Sequence, residues 1–583
     1  MSATRERELV TTRGGRRRDG GGDGHDPDPV TTQVIRNGLN SAAEQMKRAL
    51  IRTSFSPVIY EVLDFAVALY DRDMRMLAQA PSLPLFMGTL SFCVEGAVQE
   101  AGGVETLREG DILLHNVPYS HGSHPQDAAT VMPAFHEGEL IGYAAIKAHW
   151  LDLGAKDPYC TDTVDVFQEG LKFPGVRLYR EGRRNEDIYR LLLANCRVPD
   201  AVAGDVNAQV IAVRQGVDAL LRLLERYGRP AFEEAVERMY DHGERTVRGF
   251  FRALPNGTYV GRGCMDNDGV GDEQVPFEVE VRIDDDEVVI DFSRVPDARP
   301  GPINCPMPST VSASRTAITM LAGGGEAPCE GHFRPIAVIT RPGSMFHPES
   351  PSPCYLYGWP AFQSIEVIYE ALADAVPQLV PAWSGGDLCG LTWWGRREAT
   401  GEAWADSSPN PIGMGAHAGG DGAHALLHIA ESATRFSPIE VWEERDPLVV
   451  ERYQLAQDSG GAGRHQGGLG VDLAWTALEP IEITTQLERT ESLPLGREGG
   501  MPGRPNRGFL RSPDGERRPV AKATRMAIPV GWTIEVGSGG GGGFGDPAQR
   551  PREQIVEDLA DGVVSEEYAA RHYPQWQDGA DGS

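Results

Sequence analysis

With 583 residues the chain is long enough for roughly two or three domains. Its 40% hydrophobic and 24% charged residues, with 69 glycines and 42 prolines, are the balance of a globular protein rich in turns and β structure. A formal charge of −29 repels phosphate backbones and argues against nucleic acid as a partner, and no apolar run is long enough to span a membrane. The eight cysteines are scattered without a CxxC pair, which argues against a thiolate zinc site and points to a reducing cytoplasm.

Residues 1–28 carry arginines and glycines but no apolar centre, so they read as a disordered basic extension and not as a secretory signal. The segment "VTTQVIRNGLNSAAEQMKRALIRTSF" then repeats Ile35, Leu39, Ala43, Met46 and Leu50 at helical spacing, predicting a helix that packs one face on a core. "EVLDFAVALYDRDMRMLAQ" predicts a strand pair turning at Asp71–Asp73, and residues 111–152 read as further strands. "VNAQVIAVRQGVDALLRLLERYG" and "AFEEAVERMYDHGERTVRGFFRAL" are consecutive amphipathic helices ending near Pro255-Asn256-Gly257. That tripeptide predicts a boundary between a 29–255 α+β domain and a 256–550 β-rich domain. In the latter, "FEVEVRIDDDEVVIDF" is strand, acidic turn, strand. Residues 551–583 predict a helical tail of two short helices parted by Asp561-Gly562. The fold class is α+β with a large β share, its amphipathic helices packed on mixed or antiparallel sheets.

Between these elements lies "HGSHPQDAATVMPAFHEGELIGYAAIKAHWLDLG", with two His-x-x-Asp pairs, His124/Asp127 and His149/Asp152. A two-residue turn at Glu137-Gly138 would set Asp127 across from Ala148, with His149 one step beyond. Pro125 places His124 on a loop, free to turn inward. Two imidazoles and one carboxylate leave coordination positions open on a divalent metal, and zinc, manganese and iron all suit such a set. Asp152 would orient an imidazole from behind. Lys147, on the strand face of His149, would touch an anionic ligand, and His121 is a spare ligand. His-x-x-Asp also arises by chance, so spacing alone leaves ordinary polar residues as the other reading.

Other motifs are absent or weak. The chain has no GxxxxGK[ST] loop, no HExxH and no GxSxG elbow. "GSGGGGGFGDP" and "DSGGAGRHQGGLG" lack the lysine and helix of a phosphate loop and read as tight turns or crossings. "DNDG" at 266–269 lacks the downstream glutamate of a calcium loop and reads as a turn.

Long stretches resemble the hydantoinase B/oxoprolinase family, which includes N-methylhydantoinase B-type subunits and related acetone and acetophenone carboxylase subunits. They include "RTSFSPVIYEVLDFAVALYDRDMRMLAQ", "GDILLHNVPYSHGSHPQDAATVMPAFHEGELIGYAAIKAHWLDLG", "EGHFRPIAVITRPGS" and "FSPIEVWEERDPLVVERYQLAQDSGGAGRHQGGLG". The resemblance implies a subunit of a hetero-oligomer, working with a hydantoinase A-type, actin-like ATPase partner that binds ATP to activate a cyclic amide or an enolate. It also implies a divalent metal at His124, Asp127 and His149; Glu61 or Asp64, kept in the stretch before Phe65, is the expected base. Phe86 stands where the family commonly has histidine, "YEVL" where it has arginines around Glu61, "VPY" where it has "DPY", and His121 where it has glycine. These departures favour a more apolar or aromatic substrate. The expected activity is ATP-dependent hydrolysis of a hydantoin- or oxoproline-like lactam, with a ketone carboxylase subunit or a non-catalytic assembly subunit as alternatives.

Overall fold

A computed structural model describes residues 8–11 and 29–577. Of the amino-terminal segment, only Glu8–Thr11 belongs to the described residues, as a strand antiparallel to Ile336–Thr340; the rest of the expected extension lies outside them.

The element that carries the site is a seven-stranded antiparallel sheet. Its order runs Met76–Gln79, Phe65–Asp71, Glu139–His149, Asp127–His136, Ile112–His115, Val176–Arg180, Arg183–Arg184. The strand "FAVALYD" is buried at every position, because both faces of the sheet are covered and no polar side is needed. Phe65, Val67 and Leu69 face helices Pro29–Thr53 and Pro199–Tyr227, in one core with Leu39, Met46, Val206 and Val213. Ala66, Ala68 and Tyr70 face the opposite way, into a core shared with helices Pro84–Glu100, Met307–Ala322 and Gly358–Leu372.

The helices on that second side depart from the expected β-rich pattern after Pro255. In Gly358–Leu372 every residue from Gly358 to Tyr369 is buried, and in Met307–Ala322 every residue from Pro308 to Ile318. A helix buried all round has no polar stripe, so its 3.6-residue period is invisible in the sequence. They pack beside a five-stranded mixed sheet ordered Glu8–Thr11, Ile336–Thr340, Glu287–Asp291, Val275–Asp284, Gly257–Met265. Within it, the predicted hairpin turns at Asp285, whose φ is +55°.

Two further antiparallel sheets, of four and five strands, enclose a core built on Trp393, Trp442 and Trp475. The glycine-rich stretches cross here at backbone contact distance. A Cβ on Gly541 would stand 1.9 Å from the Met414 carbonyl, and one on Gly540 1.9 Å from that of Ser459. Gly541 N donates to Gly468 O and Gly543 N to Met501 O, each at 2.9 Å. Those amides are consumed by the backbone, so the run is a crossing and not a phosphate cradle. "DNDG" is a turn, with Asp268 Oδ1 accepting from Val270 N and Gly271 N. The tail forms the two predicted helices, Arg552–Ala560 and Glu566–His572, followed by Pro574–Gln577. All eight cysteines are free. Among the described residues no helix is long and apolar enough to cross a membrane.

Candidate metal centre

The hairpin of Asp127–His136 and Glu139–His149 turns at Glu137 and Gly138, both at positive φ (+51° and +82°), as a tight two-residue hairpin turn requires. Next to the turn the pairing is the expected one, with His136 opposite Glu139 and Phe135 opposite Leu140. A bulge at Ile141 then shifts the register, so that Ala134 pairs with Gly142 and Asp127 comes directly opposite His149. Without that extra residue Asp127 would share a face with Ala148 and point away from His149, since one step of register flips a side chain across the sheet.

His124 reaches the same point from the preceding loop, whose carbonyl accepts from Asp127 N at 3.2 Å. The three donor atoms form a triangle. Asp127 Oδ1 lies 3.0 Å from His124 Nε2 and 2.8 Å from His149 Nδ1, and the two nitrogens are 3.1 Å apart. Donors each about 2.0–2.2 Å from one cation are separated by distances of this order. The chemistry fits too: two neutral nitrogens and one carboxylate are a donor set for zinc, manganese or iron. His124, Asp127 and His149 are 5%, 0% and 8% exposed. Burial alone would raise the Asp127 carboxyl, but the two imidazoles, by charge and hydrogen bond, hold it well below the usual range.

Groups remote in sequence fix these side chains. His124 Nδ1 donates to the Tyr355 carbonyl at 2.9 Å, which fixes the ring with Nε2 directed at the triad. The Tyr357 hydroxyl donates to Asp127 Oδ2 at 3.0 Å. The segment bearing both tyrosines is itself pinned by Glu169, whose Oε1 accepts from Cys354 N at 2.7 Å and Tyr355 N at 2.9 Å. No short-range pattern marks Tyr355 and Tyr357, which lie more than two hundred residues from the hairpin.

The triad lines a cavity of about 80 Å³, together with Asp64, Glu431 and a largely apolar wall of Val58, Val62, Phe86, Tyr159, Trp359, Phe362 and Leu388. Asp64 sits at the start of the strand paired with Glu139–His149, and its carbonyl accepts from His149 N at 3.1 Å. Desolvation pushes its carboxyl up to about 7 against the pull of His149. Glu431, which the sequence reading missed, is raised well above its ordinary value by burial and by Asp64 and Asp127. Among the described residues no lysine or arginine lines this cavity.

The other expected site residues lie elsewhere. Asp152 does not orient His149: its Oδ1 accepts from Arg197 Nη1 at 2.5 Å and Gly154 N at 3.0 Å, and its Oδ2 from Arg197 N. Glu61 is outside the cavity lining, accepting from Ser437 Oγ at 2.6 Å beside Arg445 at 3.5 Å. Lys147 is also outside it, fully buried, donating to Thr89 Oγ1 at 3.0 Å with its ammonium 4.7 Å from the Phe86 ring. Phe86, which does line the cavity, covers that charge. His121 bonds Ser123 Oγ at 3.0 Å and stands apart from the triad. Ion-pair and packing needs compete for such residues, and sequence spacing does not register them.

An α+β scaffold thus brings a His–Asp–His donor set that could hold a metal ion to the wall of a small, acid-bearing cavity. The hydantoinase B/oxoprolinase profile matches residues 28–547, and the chain belongs to that family. It is 30% identical over 564 residues to the caprolactamase subunit beta of Pseudomonas jessenii, covering 94% of this chain and 96% of that one. The crystal structure of the ATP-dependent caprolactamase from the same organism superposes with a TM-score of 0.87 at 29% identity, over 94% of this chain and 96% of that one. A nucleotide-free acetone carboxylase structure shares the fold, with a TM-score of 0.83 at 18% identity over 94% of this chain and 79% of that one.

Proposed function

We propose that this chain is the metal-bearing catalytic subunit of an ATP-dependent enzyme that hydrolyses a cyclic amide, working with a separate ATPase subunit that binds the nucleotide. The observation that carries the reading is the convergence of His124, Asp127 and His149 on one wall of a small cavity. The likeness to an ATP-dependent caprolactamase along nearly the whole chain supports the amide as substrate, and the absence of a nucleotide motif in the sequence agrees with ATP being bound elsewhere.

His124, Asp127 and His149 would hold one divalent cation, which would supply Lewis acidity to the reaction. Phosphorylation of the amide oxygen by the partner subunit makes the carbonyl carbon electrophilic; after water adds there, the ring C–N bond breaks with protonation of the nitrogen, and a second water releases phosphate from the resulting carboxyl phosphate. Asp64, in the same cavity, accepts the proton of the attacking water. Glu431 accepts a hydrogen bond from the ring N–H. The apolar wall excludes bulk water and binds the methylene or aromatic body of the ring. Because no cationic side chain among the described residues lines the cavity, a neutral lactam is preferred over one bearing a carboxylate, such as 5-oxoproline.

The test is lactam hydrolysis by the complex of this chain with its ATPase subunit. Activity requires both subunits and ATP, and is lost in His124→Ala together with bound metal. A fully active His124→Ala variant overturns the assignment. The aromatic, cation-free wall also suits a small neutral ketone. Under that second reading the subunit belongs to a carboxylase, and ATP consumption with the ketone depends on bicarbonate.

A further inference from the structure

A second cavity, of about 310 Å³, lies between helices Pro84–Glu100 and Met307–Ala322. Pro84, Met87, Met320 and Phe333 give it a largely apolar wall. Arg315 lines it and is only 6% exposed. Its guanidinium lies 4.7 Å from the Phe333 ring and 5.5 Å from that of Phe92. Among the described residues nothing accepts a hydrogen bond from it. Glu330 and Glu95 act on it electrostatically, but among the described residues neither carboxylate comes within ion-pair distance of its guanidinium, and Glu330 Oε2 accepts from Met76 N at 3.3 Å. Gln79, 5% exposed on the same wall, makes no side-chain hydrogen bond, and its Oε1 is buried without a donor.

A buried guanidinium offers five donors, and leaving them unmade is costly where water is scarce. A guanidinium that is 6% exposed, faces an apolar-walled cavity and meets no acceptor among the described residues is explained by an acceptor that arrives from outside. A carboxylate matches the planar fork of Arg315 and makes the stronger, charge-assisted bonds. The apolar wall then calls for an apolar body on that carboxylate.

We propose that this cavity is a second ligand site, distinct from the triad, that binds a small organic carboxylate with its anionic end on Arg315 and its body against Met87, Met320 and Phe333. One turn of helix separates the two cavities. Met87 and Gly88 line this one and Phe86 lines the other, and Ser312 Oγ donates to Leu85 O at 2.7 Å across the helix pair. An occupant therefore bears on the wall of the triad cavity, whichever reaction takes place there.

Calorimetric titration of the full-length protein with hexanoate tests the site, with hexanol and inorganic phosphate as controls lacking the charge or the apolar body. Hexanoate is expected to bind once per chain, with and without a chelator, and about tenfold or more tighter than either control. Arg315→Gln weakens it by about tenfold or more. Met320→Trp, at a cavity position that is 55% exposed, blocks the cavity without removing the buried cation and abolishes binding. The proposal is overturned if wild-type protein does not bind hexanoate, if a control binds as tightly, if chelation removes binding, or if both variants bind normally.

Discussion

Replacing Tyr357 by phenylalanine isolates a single hydrogen bond of the candidate metal centre. The hydroxyl donates to Asp127 Oδ2 at 3.0 Å with both side chains buried, and phenylalanine keeps the ring that packs against His124 at 5.3 Å. What is lost is the donor that fixes the second carboxylate oxygen while the first faces the two imidazoles. A hydrogen bond to a charged group contributes about 1.5–3 kcal/mol. At about 1.4 kcal/mol per factor of ten, that converts to a loss of roughly ten- to hundredfold in metal affinity, the range typical of groups that orient a ligand. Competition of manganese or zinc between the protein and a chelating dye measures it, with circular dichroism to show that the fold is kept. A variant that binds metal within about twofold of wild type refutes the role assigned to Tyr357 in holding Asp127.

Arg197→Met tests the placement of Asp152. It removes the cation from a carboxylate that is 3% exposed and should lower stability by about 1–3 kcal/mol, while metal content stays stoichiometric; loss of metal would restore Asp152 to the centre. Glu169 provides the pH test. Burial raises its carboxyl from 4.5 to about 8, so between those values the folded chain keeps a proton that the unfolded chain has released. The contribution of this group is thus fully present below the lower value and is lost as pH rises toward the upper one, by at most about 1.4 kcal/mol per unit. Glu169→Gln should flatten that part of the profile in denaturant titrations across the window, and an unchanged slope would contradict a neutral Glu169.

Local pattern made much of the chain legible before folding. The helix at Pro29–Thr53 buries Ile35, Leu39, Ala43, Met46 and Leu50 because a 3.6-residue repeat of apolar side chains has one stable use in water, against a core. The acidic hairpin at 275–291 and the turn at Glu137-Gly138 were readable for a similar reason, since alternation and turn chemistry are written in adjacent residues. The identity of the three candidate metal donors followed from the short spacing of His124 and Asp127 and from one hairpin that returns His149 beside them.

Long-range packing decided the rest. The bulge at Ile141 put Asp127 and His149 on one face, and nothing in the flanking residues announces it. Helices Met307–Ala322 and Gly358–Leu372, buried on nearly all sides, lack the polar stripe that would have revealed them. Tyr355, Tyr357 and Glu431 enter the centre from distant segments, while Asp152 is drawn off by Arg197 and Lys147 is covered by Phe86. The sequence by itself determined which candidate donors stand close along the chain, because residue type and near-neighbour spacing are local properties. Only the tertiary structure decided which carboxylates and hydroxyls stand beside them, because contacts between segments hundreds of residues apart depend on how the cores fill space.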